Sequence, residues 1–151
     1  MNGVVSTTST LRRWILAVLV FGIVGTGVEL LLLRHYEEPT QLVPLVLIAI
    51  ALGVLLWHVV GGSGNSVRAL QVTMLLFVTG GATGVTLHFS GAAEFQLEGN
   101  PTLGTWDLTK KVMRAEAPPV LAPGVMMQLG LLGLVYTYRH PKDTPPGHDE
   151  E

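Results

Sequence analysis

Glu29 is an isolated acid inside a long apolar stretch, Trp14–Leu33, about six residues past its midpoint. At a helical rise of 1.5 Å per residue it lies roughly 8 Å toward one surface of a membrane. A carboxylate at that depth costs a few kcal/mol, so such groups turn inward, find a partner or stay protonated. The residue types that would partner it are nearby in kind. His88 closes a second apolar stretch, His35 follows the end of the first, and Glu94 lies six residues beyond His88. Carboxylates and imidazoles held together bind protons or divalent metal ions. Glu29, His88, His35 and Glu94 are therefore the candidate polar cluster. It reads either as a proton or metal site or as a structural arrangement in which Glu29 and His88 satisfy one another.

Other chemistries lack their residues. The 151-residue chain has no cysteine, which removes thiol redox centres, disulfides and thiolate metal sites. It carries no Gly-rich phosphate loop, no G-x-S-x-G and no H-E-x-x-H. Nine basic against eleven acidic residues give no footprint for nucleic acid. His58 and His140 fall at helix ends on the side opposite His88, so His58 and His88 cannot share one haem. Gln71, Thr79, Thr83, Thr86 and Gln128 suit hydrogen bonds between helices. No cofactor is called for.

The elements that must position these groups are membrane helices. Four apolar runs, Trp14–Leu33, Leu42–Val60, Val67–Phe89 and Pro119–Tyr138, hold only two charged residues, Glu29 and Arg68. Charged residues are 13% of the chain against a usual share of roughly a quarter. Each run approaches the ~20 residues that cross about 30 Å of hydrocarbon as a helix. Lipid offers no partner to open backbone groups, and the alternation of barrel strands is missing. The first run is too long for the apolar core of a removed leader and reads as a retained anchor. The expected fold is an all-α, four-transmembrane-helix bundle over residues 1–140, with helices near 14–33, 42–60, 67–89 and 119–138. An acidic, Pro-containing tail, 141–151, is expected to be disordered.

Ser9 or Thr10 is expected to cap the first helix and Ser66 the third. Trp14, Trp57, Tyr136 and Tyr138 sit at run ends, as in an aromatic belt. Val18, Gly22, Gly25 and Glu29 share one face of the first helix; Thr73, Phe77, Gly80, Gly84 and His88 share one face of the third. Small residues at Gly22, Gly25, Gly80 and Gly84 invite close helix packing, and the two faces are expected to meet. Between the third and fourth helices, residues 105–117 form a short amphipathic interfacial helix. Lys110, Lys111, Arg114 and Asp107 lie on one side, and Trp106, the interfacial anchor, lies opposite with Leu108, Val112, Met113 and Ala115. Glu94–Glu98 alternates polar and apolar residues and reads as extended.

With four spans both termini share a side. Arg12, Arg13, Arg68, Arg139 and Lys142 lie there, against Arg34, Lys110, Lys111 and Arg114 on the other, which favours cytoplasmic termini. The functional expectation is a non-enzymatic one: a small integral membrane subunit or accessory protein in the lipid bilayer, packed as a homo-oligomer or in a larger membrane complex. The alternatives are an oligomeric ion- or proton-coupled carrier using Glu29, and a metal- or haem-binding membrane redox protein.

Overall fold

The computed structural model describes residues 2–115 and 120–141. Its helices are α1 (Asn2–Leu32), α2 (Leu42–Gly61), α3 (Gly64–Gly99), α4 (Thr105–Met113) and α5 (Leu121–Thr137). A single 3₁₀ turn, Pro39–Gln41, leads into α2. Among the described residues there is no strand. Three helical segments are long and apolar enough to cross a membrane: Thr7–Leu32, Pro39–Gly61 and Gly64–Gly99. The fourth apolar helix, α5, has 17 residues and a length of about 26 Å.

Several boundaries differ from those the sequence suggests. Helix α1 starts at Asn2 rather than Trp14, so Ser9 and Thr10 lie within it and not at its N-cap. No proline interrupts that polar leader, and Ser and Thr are only mildly unfavourable in a helix. Ser63, not Ser66, caps α3: its side chain accepts a hydrogen bond from the Ser66 amide at 3.3 Å. The preceding Gly62 takes a left-handed conformation, φ 44°, and closes α2. Only Gly62 and Ser63 separate the two helices.

Helix α3 runs on to Gly99, so Glu94–Glu98 is helical rather than extended. At 36 residues and about 54 Å it is much longer than a bilayer core is thick. Packing explains the extension, because α4 folds back against α3. Helix α4 ends at Met113 instead of Ala117. Gly104 occupies its N-cap position without a side-chain bond, and Thr105 is already helical. The expected start of the fourth helix at Pro119, and the tail beyond Pro141, lie outside the described residues.

The bundle closes as a ring, with α2 between α1 and α3, and α5 on the other side between the same two. Helices α1 and α3 are diagonal, without close backbone approach. Their glycine faces therefore do not meet each other, as the sequence suggested; each meets a flanking helix. Gly22 faces Leu129 of α5, Gly80 faces Leu47 of α2 and Gly84 faces Pro123 of α5. Gly25 has nothing beside it. The core between the four helices is apolar, built from Leu19, Ile23, Leu30, Ile48, Ala51, Leu55, Leu70, Met74, Phe77, Met126 and Leu129.

The tightest contact joins α3 and α5. A Cβ on Gly130 would stand 2.7 Å from the Met74 carbonyl oxygen, and one on Gly81 would stand 2.6 Å from that of Pro123. Only glycine lets the two backbones come this close, which is how membrane helices gain dispersion contact when burial from water contributes little.

Candidate functional site

Polar groups gather at the two ends of this ring. At the end remote from the termini, α1 stops in a tight turn. The Arg34 amide donates to Leu31 O at 3.1 Å and the His35 amide to Leu30 O at 2.9 Å, the paired bonds of a Schellman closure. Arg34 supplies the left-handed residue, φ 52°, where glycine is usual. This closure turns His35 back toward α3. Its ring centre lies 6.2 Å from that of His88, with the planes inclined by 34°. His35 titrates below its ordinary value, mainly because burial disfavours the charged ring and secondarily because His88 repels it.

The two carboxylates of the expected cluster stand elsewhere. Glu29 is exposed on the bundle and borders a shallow, largely apolar cleft of about 130 Å³. Thr26, Leu30 and Leu33 line it from α1, and Leu121, Ala122 and Val125 from α5. Glu94 is exposed, six residues beyond His88 and so about 240° around the helix from it. Of the four expected residues the fold brings together His35 and His88. Among the described residues no group of three or more His, Asp or Glu side chains converges.

On the same side, α4 presents its cations beside a cleft of about 360 Å³ lined by Leu103, Asp107, Lys110, Lys111 and Arg114. Lys110 pairs with Asp107 at 3.6 Å and lies over the Trp106 ring at 5.1 Å. The apolar side of α4 is divided. Val112 is fully buried on the bundle, whereas Trp106 and Met113 remain exposed.

The other end holds a buried network that the sequence reading passed over. His58, near the end of α2, is 3% exposed. Its Nδ1 lies 3.0 Å from Ser66 Oγ and its Nε2 lies 2.9 Å from Tyr136 Oη. The Ser66 hydroxyl donates its proton to Ser63 O at 2.7 Å, so toward His58 it can only accept. That fixes the tautomer: His58 donates from Nδ1 and accepts the Tyr136 hydroxyl proton at Nε2. The relay runs Tyr136 to His58 to Ser66 to the backbone that caps α3. It joins α2, α3 and α5 at one point.

His140 closes over this network, its ring 5.1 Å from His58 and 5.4 Å from Tyr136. Arg12 completes the end. Its guanidinium donates to the carbonyls of Tyr136 at 2.8 Å, Tyr138 at 3.1 Å and Arg139 at 3.1 Å. A cation there answers the open carbonyls and negative dipole end of α5, and ties α1 to it. Tyr136 is thus an interior residue and not a belt residue, while Trp14, Trp57 and Tyr138 are exposed as a belt requires. The available signals were His58 and Ser66 on either side of a Gly-rich turn, and the Tyr136–His140 spacing of four.

Chemically, the relay orients hydroxyl and imidazole protons, with every described buried side-chain nitrogen or oxygen satisfied. No family model, curated protein or solved structure matches this chain.

Proposed function

We propose that this chain is a multi-pass integral membrane protein with α5 as a fourth span and both termini cytoplasmic. In this reading it serves as a non-catalytic subunit or accessory protein, assembled with copies of itself or within a larger membrane complex. The observation that carries the reading is the sealed middle of the bundle. Leu19, Ile23, Met74 and Phe77 are fully buried between the two polar ends, and α3 and α5 touch backbone to side chain beside them. A carrier needs a polar track through both leaflets; here an apolar plug separates the His35–His88 end from the His58–Tyr136 end. Meanwhile only 22–28% of the apolar stretch of each long span is buried inside the bundle, which leaves outer faces for lipid and partner helices.

Purification from native membranes after gentle cross-linking tests this reading. A defined species heavier than one chain is expected, together with no solute or proton flux in proteoliposomes. A lone chain in the membrane, or flux abolished by Glu29→Gln, would overturn it.

A further inference from the structure

We propose that α4 holds the phosphate group of one anionic phospholipid, from the leaflet on the side remote from the termini, against Lys110, Lys111 and Arg114. These three cations line one cleft of about 360 Å³ together with Leu103 and Asp107. That volume lies in the lower part of the roughly 300–1,000 Å³ range of small-ligand sites. Asp107 pairs with Lys110 at 3.6 Å and offsets one positive charge, so the cleft keeps the other two. Among the described residues, Lys111 and Arg114 have no ion-pair partner. A phosphodiester supplies the missing anion, and its paired oxygens match the forked donors of a guanidinium.

The rest of α4 points to a lipid as the source of that phosphate. Val112 is fully buried on the bundle, whereas Trp106 is 69% exposed and Met113 is exposed as well. At 3.6 residues per turn, Trp106 and Met113 stand about 100–120° round the helix from Val112, and the cations fill the arc beyond them. The helix therefore offers its surroundings an apolar flank and a cationic face side by side. Water suits only the second, while the membrane interface suits both, with the indole at headgroup level and the cations among the phosphates. Chain connectivity sets the height. About 20 residues of α3 cross the hydrocarbon, so its last ten or so, from Ser90 to Gly99, stand clear of it. The chain must then return to Leu121, which begins α5 and borders the same cleft as Leu30 and Leu33 at the end of α1. Helix α4 lies on this return path and packs against α3. The inference needs the chain to sit in a bilayer and is independent of its service as a subunit.

Native mass spectrometry of the full chain in detergent micelles, titrated with phosphatidylglycerol or phosphatidylcholine, tests it. One phosphatidylglycerol per chain should be retained in preference to phosphatidylcholine. A cation near an anionic surface is worth about fivefold in affinity, so Lys111→Gln and Arg114→Gln should each weaken retention about fivefold and the double variant about 25-fold. Arg13→Gln, exposed at the other end of the bundle, should leave it unchanged. All these side chains are exposed, and circular dichroism with gel filtration confirms that the variants fold. A second measurement reads the position of α4. In a Trp14→Phe/Trp57→Phe chain in nanodiscs containing phosphatidylglycerol, Trp106 emission should be quenched by lipids brominated close to the headgroup. Equal retention of the two lipids, or a preference that survives in the double variant, overturns the proposal. Displacement of the lipid by inorganic phosphate would make this a free-anion site and overturns it too, as does unquenched, water-like Trp106 emission. Cross-linking that finds a lone chain would bear on the subunit reading and leave lipid retention as it is.

Discussion

His58 shows how one residue specifies an interior at little cost. Both ring nitrogens are engaged, and the Ser66 proton already committed to Ser63 O dictates which nitrogen carries hydrogen. Tyr136→Phe keeps the ring and removes only the donor to Nε2. It should lower stability by about 1–2 kcal/mol, read from reversible denaturation in mixed micelles, with Tyr138→Phe as a neutral control. Glu29 illustrates the opposite case. Being exposed, it leaves no buried group unpaired when replaced, so Glu29→Leu and Glu29→Gln should both fold within about 0.5 kcal/mol of wild type. A large loss in the leucine variant alone would mean that Glu29 has a partner inside. At His35 the prediction is a pH dependence. Its folded pKa lies below the ordinary 6.5, so the unfolded chain takes up the proton more readily. Its contribution to stability is full above about pH 6.5 and falls as pH drops through the lower folded value. Wild type should therefore lose more stability between pH 7 and pH 5 than His35→Gln does.

Among the elements, the contact between α3 and α5 is the most demanding. A methyl on Gly130 would meet the Met74 carbonyl at 2.7 Å and Val78 Cγ2 at 2.8 Å, so the helices must part to admit it. Gly130→Ala is expected to cost about 1–3 kcal/mol, whereas Gly25→Ala, with nothing nearby, should be neutral or mildly stabilising. Equal behaviour of the two variants would contradict the packing. The pair also marks where sequence reading succeeds and where it stops. That small residues gather on helix faces is visible in the spacing of Gly22, Gly25, Gly80 and Gly84. Which helix each face meets is not, because spacing along one helix carries no information about which neighbour lies beside it. Element ends were legible where the signal is local and failed where packing extends a helix, as α4 does for α3.

For the whole molecule, the proposed orientation rests on a small excess of Lys and Arg on the terminal side. Reporter fusions after Gly62 and at Glu151 should read cytoplasmic, and one after Gly99 external; the reverse pattern would invert the topology. The sequence by itself determined that the chain is helical and membrane-embedded, since long uncharged runs leave no other way to satisfy the backbone in lipid. It also supplied the amphipathic α4 and placed Glu29, His35, His88 and Glu94 toward one end of the bundle, of which the fold brings together only His35 and His88. Only the tertiary structure decided that α1 and α3 are diagonal, that Glu29 faces outward, and that His58, Ser66, Tyr136 and Arg12 converge. These depend on how each helix is rotated about its axis. Membrane helices that are apolar on every side leave that rotation to close packing and to a few hydrogen bonds between distant residues.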